Sequence, residues 1–185
     1  MTDRVYFDTN IWLSALDSKS PKHNDAKEQF EKVRLGKQKL IISDWVFLEV
    51  FKKIIDLAMK DPTVRASRTP EAVKTYASTA YSNYMTLALQ LKHVVFSDPS
   101  TGTRKLLRAA IEIQKRVFGS VSKESRCPVC SGLHNFFRYH GPYEIDLIHA
   151  LLAKELRCQK MLTFDHDFSL LKNDPNIQPL VIEVL

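Results

Sequence analysis

The chain has 185 residues, with 27 Lys and Arg against 21 Asp and Glu for a formal net charge of +6. That length suits about one domain of roughly 100–200 residues with one sizeable core, and a composition 44% hydrophobic and 10% aromatic is that of a soluble globular protein. Charges at Asp3, Arg4, Asp8 and Asp17 argue against a signal-peptide core, and no stretch reaches the ~18 apolar residues of a membrane helix, so a cytoplasmic protein without membrane contact is expected.

Residues 5–7 are a short β-branched and aromatic run that stops at Asp8, the pattern of a buried strand ending on a carboxylate. Ala26, Phe30 and Val33 recur at helical intervals and predict a helix over 24–35, with Gly36 as its stop. Residues 40–42 read as a second strand. Ser43 or Asp44 can then cap a helix to about Met59 that carries Glu49 in its second turn. The polar segment 60–69 contains Pro62, ends against Pro70 and reads as a loop; Pro70 suits the first position of a long helix over 71–91.

A third strand follows at 94–96, then an amphipathic helix over 103–118 with Leu106, Leu107, Ala110 and Ile113 on one side. Periodicity lapses over 119–141, where three of the five glycines lie. Pro142 restarts a helix to about Leu156, and strands follow at 161–164 and 180–184. Strands alternating with helices predict a mostly parallel central sheet of four or five strands covered on both faces, a three-layer α/β/α arrangement.

Four acids stand in separate apolar or helix-forming stretches: Asp8, Glu49, Asp146 and Asp165. In open α/β sheets, sites form beyond the carboxyl ends of the strands. Asp8 and Asp165 each follow a strand, and Glu49 and Asp146 each sit in the second turn of a helix, so all four can face one cleft. Buried carboxylates need partners, and clustered ones repel and raise one another's pKa. Hard oxygen ligands select Mg²⁺ or Mn²⁺, which activate water and stabilise the leaving oxygen of an in-line displacement. Phosphodiester hydrolysis is the natural reaction.

The run Phe7-Asp8-Thr9-Asn10-Ile11, the Glu49 helix, Asp146 on a helix with Ala150 and Ala153, and Leu162-Thr163-Phe164-Asp165-His166-Asp167-Phe168 together resemble the motif series of PIN-domain nucleases, in order and spacing over most of the chain. The resemblance implies a PIN-like fold and a metal-dependent endoribonuclease, VapC-like among its relatives, with Asp8, Glu49, Asp146 and Asp165 as catalytic and metal-binding acids. It makes Asp167 an auxiliary acid and Thr9, Asn10 and Thr163 hydrogen-bonding neighbours. The partners it implies are an RNA substrate, a second copy in a homodimer and, for toxins of toxin-antitoxin pairs, an antitoxin protein; RNA processing is the other role in the family. His149 departs from the pattern, which has an aliphatic residue there more often. Pairing with Asp146, contact with substrate phosphate, and a satisfied buried histidine are its three readings.

Residues 119–141 form an inserted flap within a single domain spanning 1–185. Cys127-Pro128-Val129-Cys130 with His134 and His140 can supply a closed tetrahedral Zn²⁺ site that orders a loop too small for its own core, although the spacing is shorter than in zinc fingers. Free thiols or a redox pair are the other readings. Between Arg104 and His140, eight basic residues face two acidic ones, a local excess equal to the whole net charge. Arg104, Lys105, Arg108, Lys115, Arg116, Arg126 and Arg138 therefore form a candidate nucleic-acid surface; the bland reading is a solvated helix face. Phe136, Phe137 and Tyr139 either stack on bases or pack against the parent domain.

Two rival functions fit parts of the pattern. One is a non-catalytic RNA-binding module with the same fold. The other is an aspartyl-nucleophile phosphatase, although Asn10 stands where such enzymes want a second Asp.

Overall fold

The computed structural model describes residues 2–67, 69–91, 93–96, 102–120 and 144–185. Five strands form one sheet in the order β3-β2-β1-β4-β5: β1 (Asp3–Phe7), β2 (Gln38–Ile42), β3 (Val94–Phe96), β4 (Lys160–Thr163) and β5 (Val181–Val184). Every pairing is parallel, with Tyr6 opposite Ile41 on one side and Met161 on the other. Parallel strands are covered on both faces and carry near-continuous apolar runs. Val5, Tyr6, Phe7, Leu40, Ile41, Ile42, Met161 and Leu162 are accordingly all buried.

The helices are α1 (Thr9–Leu16), α2 (His23–Arg34), α3 (Asp44–Lys60), α4 (Pro62–Ser67), α5 (Pro70–Gln90), α6 (Thr103–Ser120) and α7 (Glu144–Glu155), with a 3-10 helix at His166–Leu171. α1, α2, α3 and α5 pack together, and α6 packs on α7, giving the expected three-layer fold. Among the described residues, no helix is long and apolar enough to cross a membrane. Gly36 ends α2 at φ +71°, a left-handed conformation that glycine adopts without strain, and a Cβ there would meet the His93 ring at 3.0 Å.

Aromatic packing fixes the start of the chain. Trp12 meets Phe30 at 4.7 Å and Tyr84 at 5.0 Å between ring centres, and Phe7 meets Phe30 edge-on at 5.1 Å. Such pairs contribute roughly 0.5–1.5 kcal/mol each beyond their burial. They lock β1, α1, α2 and α5 to one another on either side of Asp8.

Three local expectations are corrected. The segment 60–69 is not simply a loop: Asp61 accepts hydrogen bonds from the amides of Thr63 (2.8 Å) and Val64 (3.2 Å), Pro62 takes the first helical position, and Val64 is buried, so a short helix forms. Ser43 stands at the N-cap of α3, but its hydroxyl makes no cap hydrogen bond and instead meets the Tyr6 hydroxyl at 3.0 Å. α1 follows Asp8 directly, where no helix was expected. The flap residues 121–141, with the proposed zinc ligands Cys127, Cys130, His134 and His140 and the basic residues Arg126 and Arg138, lie outside the described residues, as does Pro142.

Candidate active site

The chain runs from β1 to β2 on one side and returns to β4 on the other, so β1 is where the sheet changes direction. Loops diverge at such a switch point and leave a crevice at the carboxyl ends of the strands. Asp8 stands there, after β1 and only 4% exposed. Its amide donates to the Leu162 carbonyl at 3.0 Å, extending the β1–β4 pairing.

Asp8 is also the N-cap of α1. One carboxylate oxygen, Oδ1, accepts from the Thr9 amide at 2.7 Å; the other, Oδ2, accepts from the Thr163 hydroxyl at 2.9 Å. Thr163 joins the two strand ends further, since its Oγ1 accepts from Asn10 Nδ2 and from the Asp165 amide, each at 3.0 Å. Asn10 Oδ1 in turn accepts from the Phe164 amide at 3.1 Å. Asp165 caps the 3-10 helix by accepting from the Asp167 amide at 2.9 Å. Thr9, Asn10, Thr163 and the Asp165 amide thus join Asp8 in one network, to which Asp167 is attached through its own amide on Asp165.

Glu49 approaches from α3. Its Oε2 accepts from the Thr9 hydroxyl and from His149 Nε2, both at 2.5 Å, and its Oε1 meets Lys53 Nζ at 3.1 Å. His149, from α7, is fully buried, and its Nδ1 lies 2.7 Å from the Tyr6 hydroxyl. The chain Ser43–Tyr6–His149–Glu49–Thr9 therefore runs from the end of β2, across β1, to the start of α1. Asp146 lies on α7 one turn before His149 and is half-buried; its charge raises the pKa values of both His149 and Lys53.

The electrostatics follow from burial and pairing. Burial pushes the Asp8 carboxyl above the usual carboxylate range and the Glu49 charge adds to that, against the opposing pull of His149 and Thr163. Burial also acts to raise Glu49, but the His149 hydrogen bond and charge, with Thr9 and Lys53, hold it down at about 2. His149 is raised above its ordinary value: burial opposes this, and the Glu49 hydrogen bond and the charges of Asp8, Glu49 and Asp146 outweigh it. Glu49 thus touches two basic side chains, whereas the burial of Asp8 is only partly offset by His149 and its own hydrogen bonds.

Asp8, Glu49 and His149 each offer one ligand atom, all within 4.8 Å of one another. The donors on the acidic side are hard oxygens, which fit a divalent ion of the Mg²⁺ or Mn²⁺ kind. His149 fits that role less well. Two ligands of one ion at ~2.1 Å stand about 3 Å apart even at a right angle, and its Nε2 is 2.5 Å from Glu49 Oε2, a hydrogen-bond separation.

Of the basic residues, Arg104, Lys105, Arg108, Lys115 and Arg116 lie on α6. Lys105 and Arg108 are exposed, while Arg116 forms a two-point ion pair with Asp174 at 3.0 and 3.1 Å. Sequence reasoning missed Lys53, Tyr6 and Ser43. Lys53 was findable, because a Lys four residues after Glu49 on a helix lies beside it. Tyr6 carried one signal, a phenol in an otherwise apolar buried strand, whose hydroxyl needs a partner.

No protein-family model and no curated protein match this sequence. Solved structures do: the fold is that of the PIN domain, shared with VapC toxins. VapC20 of Mycobacterium tuberculosis, a toxin that cleaves the sarcin-ricin loop, is similar at a TM-score of 0.53 and 16% identity, over 90% of this chain and 94% of that one. VapBC2 of Rickettsia felis, bound to a DNA fragment from its promoter, is similar at 0.51 and 13% identity, over 98% of each chain.

Proposed function

We propose that this chain is a metal-dependent endoribonuclease that hydrolyses phosphodiester bonds of RNA and acts as the toxin of a toxin-antitoxin pair. The observation that carries the reading is the Asp8 carboxylate, buried at the switch point of the sheet with its pKa raised, beside Glu49 and within the Thr163 network that holds Asp165. The likeness to VapC toxins supports the choice of RNA as substrate and of an antitoxin as partner.

Asp8, Asp146 and Asp165 would hold the ion, with Glu49 beside them. A bound Mg²⁺ or Mn²⁺ supplies Lewis-acid polarisation of a phosphate oxygen and a water made nucleophilic. The chain's own groups do the positioning. Thr9 and Thr163 fix the rotation of the Asp8 carboxylate, Asn10 ties Thr163 to the Phe164 amide, and Lys53, half-exposed beside Glu49, offers an ammonium to an incoming phosphate. The domain is read as a single unit over 1–185 with a flap at 119–141 whose Cys127, Cys130, His134 and His140 hold a structural Zn²⁺; the exposed cations of α6 extend the substrate surface, and the working form is a homodimer.

The test is incubation of purified protein with total RNA and Mn²⁺ or Mg²⁺, with Asp8→Asn as control and the cut ends mapped. Discrete metal-dependent cuts absent from Asp8→Asn are expected. Absence of cuts with either ion overturns the reading. Metal analysis of the same preparation, expected to give one zinc per chain, tests the flap.

A further inference from the structure

His149 has no part in that chemistry as an exposed group, since it is fully enclosed, yet both its ring nitrogens are engaged by polar partners. A buried imidazole with both nitrogens satisfied is rigid, and rigidity here is transferred to one atom, Glu49 Oε2. Thr9 Oγ1 reaches that same atom at the same 2.5 Å. A carboxylate oxygen has about two lone-pair directions, so Oε2 has none left for a metal. Oε1 faces Lys53 at 3.1 Å, which sets an ammonium where a second divalent ion would be drawn.

We infer that His149, supported by Tyr6 and Ser43, is a positioning residue that keeps Glu49 out of the metal's coordination sphere, so that the centre takes a single divalent ion on the Asp8 side. The inference rests on the nuclease reading above and narrows its cofactor. It does not depend on the charge of His149, because a neutral ring donating from Nε2 to Glu49 and accepting the Tyr6 hydroxyl proton at Nδ1 satisfies the same contacts. The arrangement parallels the outer hydrogen bonds that orient ligands around bound metals. Here the oriented group is withheld instead of presented. Lys53 completes the substitution, since a fixed cation beside Glu49 reduces the local negative charge that would recruit a second ion.

Mn²⁺ titration by calorimetry, with free and bound ion counted by electron paramagnetic resonance, tests the inference without reference to turnover. One Mn²⁺ per wild-type chain is expected. His149→Leu, which removes the donor from Oε2, is expected to take up a second Mn²⁺, while His149→Gln, whose amide can donate in its place, is expected to stay at one. Two ions in the wild-type chain overturn the inference while leaving the nuclease reading intact, and this holds even if His149→Leu fails to fold. A folded His149→Leu that still binds one ion also overturns it. One bound ion with no cleavage of any RNA counts against the nuclease reading alone.

Discussion

His149 Nε2 lies 2.5 Å from Glu49 Oε2, joining α7 to α3 across the end of β1 in a pocket closed by Tyr6 and Thr9. The two groups shift in opposite directions, Glu49 to about 2 and His149 upward, so each favours the charged form of the other.

Stability of the metal-free protein follows from those shifts. Glu49, lowered from 4.5 to about 2, adds stability that is present above the unfolded value and is lost as pH falls toward the folded one. His149, raised from 6.5, adds stability that is full below 6.5 and is lost as pH rises through its folded value. The contribution of this pair is expected to plateau between those limits, with a fall on either side, read as the difference between wild type and His149→Ala in urea unfolding followed across pH, because the raised Asp8 carboxyl adds a slope of its own. His149→Ala is expected to cost roughly 3 kcal/mol within the plateau and to remove the alkaline fall.

Asp8→Asn separates charge from shape. An amide keeps an oxygen for the Thr9 amide but gives up the Thr163 contact, because that hydroxyl already accepts from Asn10 and from the Asp165 amide. Because burial raises the Asp8 pKa, its ionised form opposes folding above the usual carboxylate range when no metal is bound. The variant is expected to be more heat-stable than wild type in chelator, by about 2–4 °C if the relief is about 1 kcal/mol. It is expected to lose cleavage while binding RNA as well or better. Calorimetry and filter binding check the two halves.

Thr163 carries more of the site than its size suggests, since one hydroxyl serves Asp8, Asn10 and the Asp165 amide. Thr163→Val keeps the volume and removes all three bonds. A loss of about 1–3 kcal/mol is expected from the unsatisfied groups left behind, with weaker Mn²⁺ binding as the carboxylates lose their orientation. Thr163→Ser is expected to restore both, read by thermal melts and metal titration.

The cations of α6 divide by partner. Lys105 and Arg108 are exposed, so Lys105→Ala and Arg108→Ala in an Asp8→Asn background are each expected to reduce the salt dependence of single-stranded RNA binding, by about 0.7 in the slope of log K against log salt. Arg116 is held by Asp174, and Arg116→Gln is expected to change that slope less while costing up to about 1 kcal/mol of stability. Fluorescence anisotropy at several salt concentrations distinguishes them.

The sheet was legible because buried parallel strands leave short apolar runs ending abruptly, and residues 5–7, 40–42 and 161–164 do so; the edge strand at 94–96 is equally apolar though only partly buried. The position of Asp8 and Asp165 at strand ends was legible for the same reason. α1 was not, because none of its residues is exposed and an amphipathic stripe requires a polar face. α4 was missed because Pro62 was read as a breaker, although behind Asp61 it starts a helix. The partners of His149 could not be read at all: Tyr6, Glu49 and His149 are as much as 143 residues apart, and only the packing of α7 and α3 on β1 brings them together. Spacing on the helix could have placed Lys53 beside Glu49, whereas the Tyr6–His149–Glu49 contacts arise only in three dimensions.

Asp8 heads a helix as well as lining the crevice. Folding alone would hold that position to a short oxygen-bearing side chain, so an aspartate there is by itself weak proof that a chain of this fold cuts RNA.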